Sequence, residues 1–318
     1  MIWRHLMLAL SSADTLPVPA LDRAGRIARG LRADLELFLS LYEPDIVQTL
    51  GDGELLEGRI AARLHEESRH LERLADQLRD QGLKVRASVR WDYPMCEGVI
   101  RQVLRHRPDV LILPALPTHD VTARTLAYRE ARLIETCPCP LLLLKKREIY
   151  ASGSIIAAVD PLHARETPAG MDEAVIAAAR TIAFALGDAP VQLYHAVALP
   201  SASASVGNSE KFSSDSQARL SAAQARVRKL ASHHYIRDED VRVEFGRVAT
   251  TLPSFARERR AQAVVMGALS RSFPERALFG HTAEKLLDAL ECDVLVVKPE
   301  GFRTPVSAEH APAAAHPF

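Results

Sequence analysis

The sequence predicts an α/β fold made of two consecutive domains, each with a five-stranded parallel sheet and helices on both faces. Short apolar runs alternate with longer stretches of helical periodicity along the chain, which is the pattern of strand-helix units that feed a parallel sheet. The same order of runs then starts again near Ser154. We therefore expect domains at 1–148 and 153–300, followed by a disordered tail at 301–318.

The duplication can be checked residue by residue, because one constant offset of 153 (for example 267 minus 114) aligns the two copies. Asp109–Leu116 falls on Gln262–Leu269 at this offset. Cys139–Lys145 falls on Cys292–Lys298 at the same offset, so the register persists to the end of each half. A polar stretch at 146–153 lies between the copies and is expected to be a linker.

In the first half, the expected strands are short apolar runs, and the expected helices carry apolar residues at helical spacing. The clearest helix has one apolar stripe that runs from Ile60 through Leu71 to Leu78. The expected strands are at 3–10, 34–41, 83–90, 109–114 and 140–145, and the expected helices are at 18–32, 54–81, 95–106 and 121–136.

The second half repeats this order. Residues 200–217 are dominated by serine and small side chains, so we expect a mobile loop after its second strand. The expected strands are at 154–159, 190–197, 240–245, 262–267 and 293–298, and the expected helices are at 167–186, 211–233, 249–260 and 281–290.

Charge and cysteine content exclude several classes of protein. Forty basic residues offset forty acidic ones, so no net field draws the chain to nucleic acid or anionic lipid. The four cysteines are too few and too unevenly spaced for a disulfide framework, which fits a reducing compartment. No segment approaches the ~18 apolar residues of a membrane span. We therefore predict a cytoplasmic protein without a nucleic-acid or membrane partner.

The candidate binding residues follow the strands of the second half, because ligands of open α/β sheets sit beyond the carboxyl ends of the strands. Asp160 follows the first strand, Gly267 closes the fourth, and Gly280 precedes a helix. Glycines at such positions let backbone N–H groups approach a phosphate near the positive end of a helix. Asp160 can accept hydrogen bonds from a base or a ribose. The alternative is that the glycines only make turns and that Asp160 only caps a loop.

These residues resemble a pattern of the universal stress protein family. That family carries Gly-x-x-Gly-x(9)-Gly-(Ser/Thr) after the fourth strand, an aspartate at the end of the first strand, and a closing run similar to Cys292–Pro299. Gly267 and Gly280 stand at the first and third glycine positions. The resemblance implies tandem Rossmann-like domains, similar to those of adenine nucleotide alpha hydrolases, that pair through their last strands. It implies a ligand site at Asp160, Ala196, Gly267, Ser270, Arg271, Gly280, His281 and Thr282.

Two residues depart from the family pattern. Ser270 replaces the second glycine and would incur on the order of 1 kcal/mol of strain if that glycine adopts a left-handed conformation. His281 replaces the serine or threonine after the third glycine, and the helix dipole disfavours its charged form there. We therefore expect a nucleotide motif that is only partly retained in the second half.

The first half has lost the pattern. Pro114, Pro117, Ala127 and Tyr128 fall where Gly267, Ser270, Gly280 and His281 stand in the second half. A proline supplies no backbone N–H to a phosphate. We interpret this half as a degenerate domain that is structural, dimerising or able to hold an apolar ligand.

Other clusters are weaker indications of a site. Cys137–Pro140 has a redox or metal interpretation, but Cys139 matches Cys292 at the start of the last strand, which favours a buried structural role. His65 and His70 are five residues apart on a helix, which does not place two ligands on one face. We predict no metal other than magnesium that accompanies a nucleotide.

The sequence therefore predicts a stress-response regulatory protein that binds a small ligand, either ATP or another adenine nucleotide, in the second domain. We expect a binding protein and not an enzyme, because no catalytic base or nucleophile motif is recognisable. Its two domains are expected to pair within the chain, with a homodimer as a further assembly. The alternative function is a scaffold that binds partners or an apolar ligand and no nucleotide.

Overall fold

A computed structural model describes the chain over residues 2–10, 18–50, 53–115, 123–145, 153–163, 170–198, 209–268 and 281–309. Its strands lie within two residues of the positions that the sequence predicts. They are β1 (His5–Leu10), β2 (Asp34–Leu41), β3 (Val85–Trp91), β4 (Val110–Pro114), β5 (Leu141–Leu144), β6 (Ile155–Ala158), β7 (Val191–Val197), β8 (Val241–Phe245), β9 (Ala263–Gly267) and β10 (Asp293–Val297).

The predicted helices are also present, with small shifts at their ends. The helices are α1 (Val18–Leu31), α2 (Pro44–Leu50), α3 (Glu54–Arg79), α4 (Met95–His106), α5 (Ala123–Thr136), α6 (Met171–Ala185), α7 (Ser209–His233), α8 (Val248–Glu258) and α9 (His281–Ala289).

Three local features differ from the sequence-based expectations. Helix α2 was not predicted, although Pro44 at its first position and Asp45 in its first turn are typical of a helix start. Residues 209–217 belong to α7, so the expected loop does not extend to 217. The tail is described to Glu309, with Val306 buried, and its last residues lie outside the described ranges.

The chain divides into two compact units, and the predicted linker falls largely on residues outside the described ranges. The N-terminal unit comprises Ile2–Leu144 and the described chain from Phe302, and the C-terminal unit comprises Lys145–Gly301. In the N-terminal unit the strands pair in the order β3-β2-β1-β4-β5, and each of these neighbours is parallel. In the C-terminal unit the order is β10-β9-β6-β7-β8, again parallel. The α/β fold class is therefore confirmed.

Each unit has its own apolar core around its central strands. Leu6, Met7 and Leu8 of β1 are fully buried, and so are Ile155 and Ile156 of β6. Parallel strands that are covered by helices on both faces have no polar side, which explains why these runs read as continuous apolar segments in the sequence. Within the described ranges, every helix is too short or too polar to span a lipid bilayer.

Candidate functional site

The carboxyl edge of the C-terminal sheet contains a topological switch point. Strand β6 lies between β9 and β7, with Ala158 opposite Met266 on one side and opposite Tyr194 on the other. The chain leaves β6 toward β7 and leaves β9 toward β10, so the connections diverge between β6 and β9. Ligands of doubly wound sheets bind at such a crevice. The end of β6 is therefore the position in this unit where a ligand site is expected.

The structure brings three of the predicted residues to this edge. Asp160 follows β6 after one further residue, Ala196 is the penultimate residue of β7, and Gly267 is the last residue of β9. The strands that carry them are direct neighbours. Because these strands are parallel, their carboxyl ends lie at one edge of the sheet, and the three residues lie there with them.

Asp160 is held by a residue that the sequence analysis did not identify. Its backbone N–H donates a hydrogen bond of 2.8 Å to the Asp172 carboxylate in the first turn of α6. A carboxylate is favourable there because the helix dipole is positive at the N-terminus. The Asp160 side chain keeps 30% of its surface exposed. The backbone of Asp160 is thus fixed while its carboxylate remains accessible to solvent.

The second additional residue is His195, which is 4% exposed and lies behind Asp160. Its Nδ1 is 2.8 Å from the carbonyl oxygen of Val159 and 3.8 Å from Oδ1 of Asp160. A carbonyl oxygen can only accept a hydrogen bond, so this contact assigns the proton to Nδ1. Nε2 is buried and has no hydrogen-bond partner among the described residues. His195 therefore ties the end of β6 to β7.

The two carboxylates of this edge have different environments. Burial raises the pKa of Asp172 above its usual value, and the nearby charges of Asp160 and Glu173 raise it further. Hydrogen bonding from the Asp160 backbone and the proximity of His195 act in the opposite direction without cancelling the increase. The charged form of Asp172 is thus disfavoured relative to a carboxylate in water. A ligand that donates a hydrogen bond or brings positive charge to this edge would relieve that cost.

Gly267 has a packing role that the sequence did not reveal. A Cβ atom at this position would lie 2.9 Å from Sδ and 3.0 Å from Cγ of Met171. Met171 is the first residue of α6 and is buried. The absence of a side chain at Gly267 therefore lets the start of α6 approach the end of β9, whether or not a ligand is present.

The remaining predicted site residues cannot be placed against this edge. Ser270, Arg271 and Gly280 lie outside the described ranges. His281 and Thr282 begin α9, as the sequence predicts, but their side chains are not described. The phosphate-binding loop therefore stays a prediction from the sequence.

The same edge of the N-terminal unit has a small cavity between its strands and helices. Among the described residues, it contains a cavity of only about 10 Å³, which is roughly the room that one water needs. Its lining is mostly apolar and comprises Ala9, Leu10, Ser40, Met95, Cys96, Val99, Leu113 and Leu133. This cavity is too small for the apolar ligand considered for this half, but a larger cavity of about 260 Å³ in the same unit is lined in part by Leu71, Ala87 and Val89. An apolar ligand of this half therefore stays a prediction.

A buried ion pair closes the neighbouring part of that edge. Arg101 donates to Asp92 through Nη2 and Nε, at 2.6 and 2.9 Å, and also donates to the carbonyl oxygen of Tyr93. The Arg101 and Asp92 side chains are 4% and 6% exposed. Hydrogen bonding to Asp92 raises the pKa of Arg101 despite its burial, so the guanidinium keeps its charge.

Weak sequence signals for the two additional residues did exist. Asp172 is the sixth residue of the helix predicted at 167–186, and His195 interrupts an apolar strand directly before Ala196. Neither signal identifies its partner, because the contacts join residues 12 and 36 positions apart. The described residues contain no cluster of three or more His, Cys, Asp or Glu side chains that could hold a metal ion.

Comparisons with known proteins agree with this architecture. A profile of the "Universal stress protein family" matches residues 155–298. Universal stress protein E of Escherichia coli strain K12 is 26% identical over 321 residues, which cover 95% of this chain and 96% of that protein. The crystal structure of a functionally unknown protein from Pseudomonas aeruginosa PAO1 has a TM-score of 0.69 and 24% identity, over 94% of this chain and 93% of that one. That of a universal stress protein from Archaeoglobus fulgidus has a TM-score of 0.60 and 12% identity, over 95% and 97%.

Proposed function

Since the chain belongs to the universal stress protein family, we propose that it is a stress-response regulatory protein that binds a small ligand at the carboxyl edge of its C-terminal unit. The proposed ligand is ATP or another adenine nucleotide. The observation that carries this proposal is the end of β6, where Asp160 is partly exposed, is held by its backbone N–H and lies at the same sheet edge as Ala196 and Gly267. The first half has Ser11 where Asp160 stands in the second, and the described residues at its carboxyl edge enclose a cavity of only about 10 Å³.

Each residue of the proposed site has a distinct role. The Asp160 carboxylate accepts hydrogen bonds from a ribose or a base, and the backbone at Ala196 faces the same ligand. The backbone N–H groups near Gly267, Ser270 and Gly280 contact the phosphates, with magnesium bound only through the nucleotide. Arg271, His281 and Thr282 add donors at the same phosphates.

Isothermal titration with Mg-ATP tests the proposal. The parent is expected to bind weakly, and Ser270→Gly combined with His281→Ser is expected to bind more tightly. The glycine removes a backbone penalty and the serine restores a compact donor at the start of α9. If each change returns about 1 kcal/mol, affinity improves by well over tenfold. Equal affinity of the two proteins would mean that these positions do not limit binding.

A second candidate function is a scaffold that binds protein partners without a nucleotide. The replacement of two motif positions by Ser270 and His281, together with the small cavity at the N-terminal edge, favours it. Failure of both the parent and the double variant to bind Mg-ATP would make this the leading function. Mass spectrometry of small molecules released from the purified protein identifies any other ligand.

In either case we propose a binding protein and not an enzyme, located in the cytoplasm and able to form a homodimer. An assay for ADP release from Mg-ATP tests the first statement, because sustained turnover would contradict it. Sedimentation of the purified chain tests the homodimer, because a monomer at all concentrations would contradict it.

A further inference from the structure

Two cysteines of the N-terminal unit lie in contact at the junction between α5 and β5. The Sγ atoms of Cys137 and Cys139 are 3.5 Å apart, and both side chains are thiols. Cys137 is fully buried, whereas Cys139 is partly exposed. A disulfide needs an S–S distance of about 2 Å, so the two sulfurs are close but must approach further before they bond.

The surrounding backbone holds this pair in place from both sides. The Cys137 N–H donates to the Leu133 carbonyl oxygen at 2.8 Å and so completes the last turn of α5. Pro138 cannot continue that helix, because a proline has no N–H. One residue after Cys139, the Pro140 carbonyl oxygen accepts from the Leu111 N–H at 2.9 Å and begins the pairing of β5 with β4. The backbone positions of the two cysteines are therefore set by the end of α5 and the start of β5.

The duplicated half supplies a natural comparison for this pair. At the offset of 153, Cys139 corresponds to Cys292 and Cys137 corresponds to Leu290. Leu290 also donates its N–H four residues back, to Leu286, and is likewise buried. The fold thus accepts a buried apolar side chain at this position and does not require a thiol. The second thiol is an addition that the packing alone does not explain.

We propose that Cys137 and Cys139 form a redox-active dithiol, which a low-molecular-weight disulfide such as oxidised glutathione converts to an intrachain disulfide. The partly exposed Cys139 attacks first as a thiolate, forms a mixed disulfide and releases one glutathione thiolate. Cys137 then loses its proton to solvent and attacks Sγ of Cys139, which releases the second glutathione thiolate. The protein loses two electrons and two protons, and the oxidant is reduced to two thiols.

The environment of the pair sets the pH dependence of this reaction. Hydrogen bonding to the Cys137 thiol, together with burial, raises the pKa of Cys139 well above its usual value. Only a small fraction of Cys139 is therefore a thiolate at neutral pH, and oxidation is slow there. Its rate is expected to rise by about tenfold per pH unit while the thiolate fraction limits it.

Peptide mapping of the full chain after exposure to oxidised glutathione tests the proposal. After acid quenching and alkylation, trypsin releases Leu133–Lys145, which contains Cys137 and Cys139 and neither of the other two cysteines. The expected result is a peptide lighter by two hydrogen atoms that carries neither glutathione nor the alkylating group. Titratable thiols in the unfolded chain fall from four to two. Cys96 and Cys292 remain alkylated and serve as internal controls.

Cys137→Leu is the matched variant, because leucine occupies the corresponding position of the C-terminal unit. It should retain glutathione on Cys139 and form no intrachain bond. If this variant fails to fold, the parent still decides the question. A parent peptide that keeps both thiols, or that carries glutathione on Cys139 without closing the bond, overturns the proposal. So does an intrachain disulfide that forms only in urea.

Discussion

The two units share a fold and a strand register but differ at the carboxyl edges of their sheets. In the N-terminal unit, the buried Asp92–Arg101 pair and an apolar lining leave room for about one water. In the C-terminal unit, Asp160 lies at the same edge. Its backbone N–H donates a hydrogen bond to Asp172, and Nδ1 of His195 lies 3.8 Å from its carboxylate. The comparison teaches that duplication preserved the scaffold, whereas the residues that follow the strands diverged.

The units also differ inside the sheet. Glu36 on β2 lies opposite Met7, and Gln192 on β7 lies opposite Ile156, which are corresponding positions of the two copies. Glu36 is buried against four described partners. Nε2 of Gln102 and Nδ1 of His106 are each 2.6 Å from its carboxylate, Oγ of Ser88 is at 3.2 Å and Nε2 of His5 is at 3.3 Å. The N-terminal unit therefore depends on buried charge, and the C-terminal unit has a neutral amide at that position.

The largest expected effect is on the buried ion pair of the N-terminal unit. Arg101→Ala leaves the Asp92 carboxylate buried without its bidentate partner, so we expect a loss of about 3–5 kcal/mol in the stability of this unit. Urea unfolding followed by tryptophan fluorescence reports it selectively, because both tryptophans, Trp3 and Trp91, belong to the N-terminal unit. Asp92→Leu with Arg101→Met is the control and should recover much of the loss. A cost below about 1 kcal/mol for Arg101→Ala would mean that solvent reaches the pair.

The second effect concerns acid stability. Burial raises the pKa of Glu36, but hydrogen bonds from His5, Gln102 and His106 outweigh it and lower the pKa to about 2. Because the folded-state pKa lies below the ordinary value of 4.5, this contribution is complete above that pH and disappears as the pH falls through about 2. The shift corresponds to about 3 kcal/mol. Glu36→Gln, which copies Gln192, should remove that stability at pH 6 and have no effect at pH 2.

Tryptophan-detected unfolding across this pH range provides the measurement for Glu36→Gln. A constant difference between parent and variant from pH 6 to pH 2 would show that the loss comes from packing and not from the charge of Glu36. Gln192→Ala in the other unit is the control and should leave the pH dependence unchanged.

A smaller effect is expected where Gly267 meets Met171. Gly267→Ala places a methyl group against the flexible Met171 side chain, which should cost the C-terminal unit about 1 kcal/mol. The same change in a Met171→Ala background should cost much less, because the clash has been removed. Hydrogen exchange of the β6 and β9 amides measures the loss of stability in each of the two backgrounds. Equal costs in the two backgrounds would contradict the packing role of Gly267.

The smallest expected effect is a gain in stability and not a loss. Burial raises the pKa of Asp172, so its ionised form destabilises the folded C-terminal unit as the pH rises through that pKa. Asp172→Asn keeps an oxygen that accepts from the Asp160 N–H, and it should raise the stability of this unit slightly at neutral pH. The gain should vanish below the ordinary pKa of 3.8. Hydrogen exchange of the β6 amides measures this gain. A loss of stability at neutral pH would contradict the raised pKa of Asp172.

Periodicity and the internal repeat predicted the fold well, because a buried parallel strand is a run of apolar residues regardless of which strands it pairs with. The shorter helix α2 was missed, since seven residues contain too few apolar positions to show a period. The site was predicted only in part. Asp160 and Gly267 lie at the ends of strands and could be recognised, whereas Asp172 and His195 act through contacts that depend on helix placement and register.

The central claim is that ligand binding is confined to the C-terminal unit, and Asp160 tests it most directly. In the Ser270→Gly, His281→Ser background, isothermal titration with Mg-ATP should give one site per chain. Adding Asp160→Ala should weaken binding by tenfold or more, because a hydrogen bond to a charged group contributes about 1.5–3 kcal/mol. Ser11→Ala, at the matching position of the first half, should change nothing. Two sites per chain, or equal losses for the two substitutions, would contradict the account.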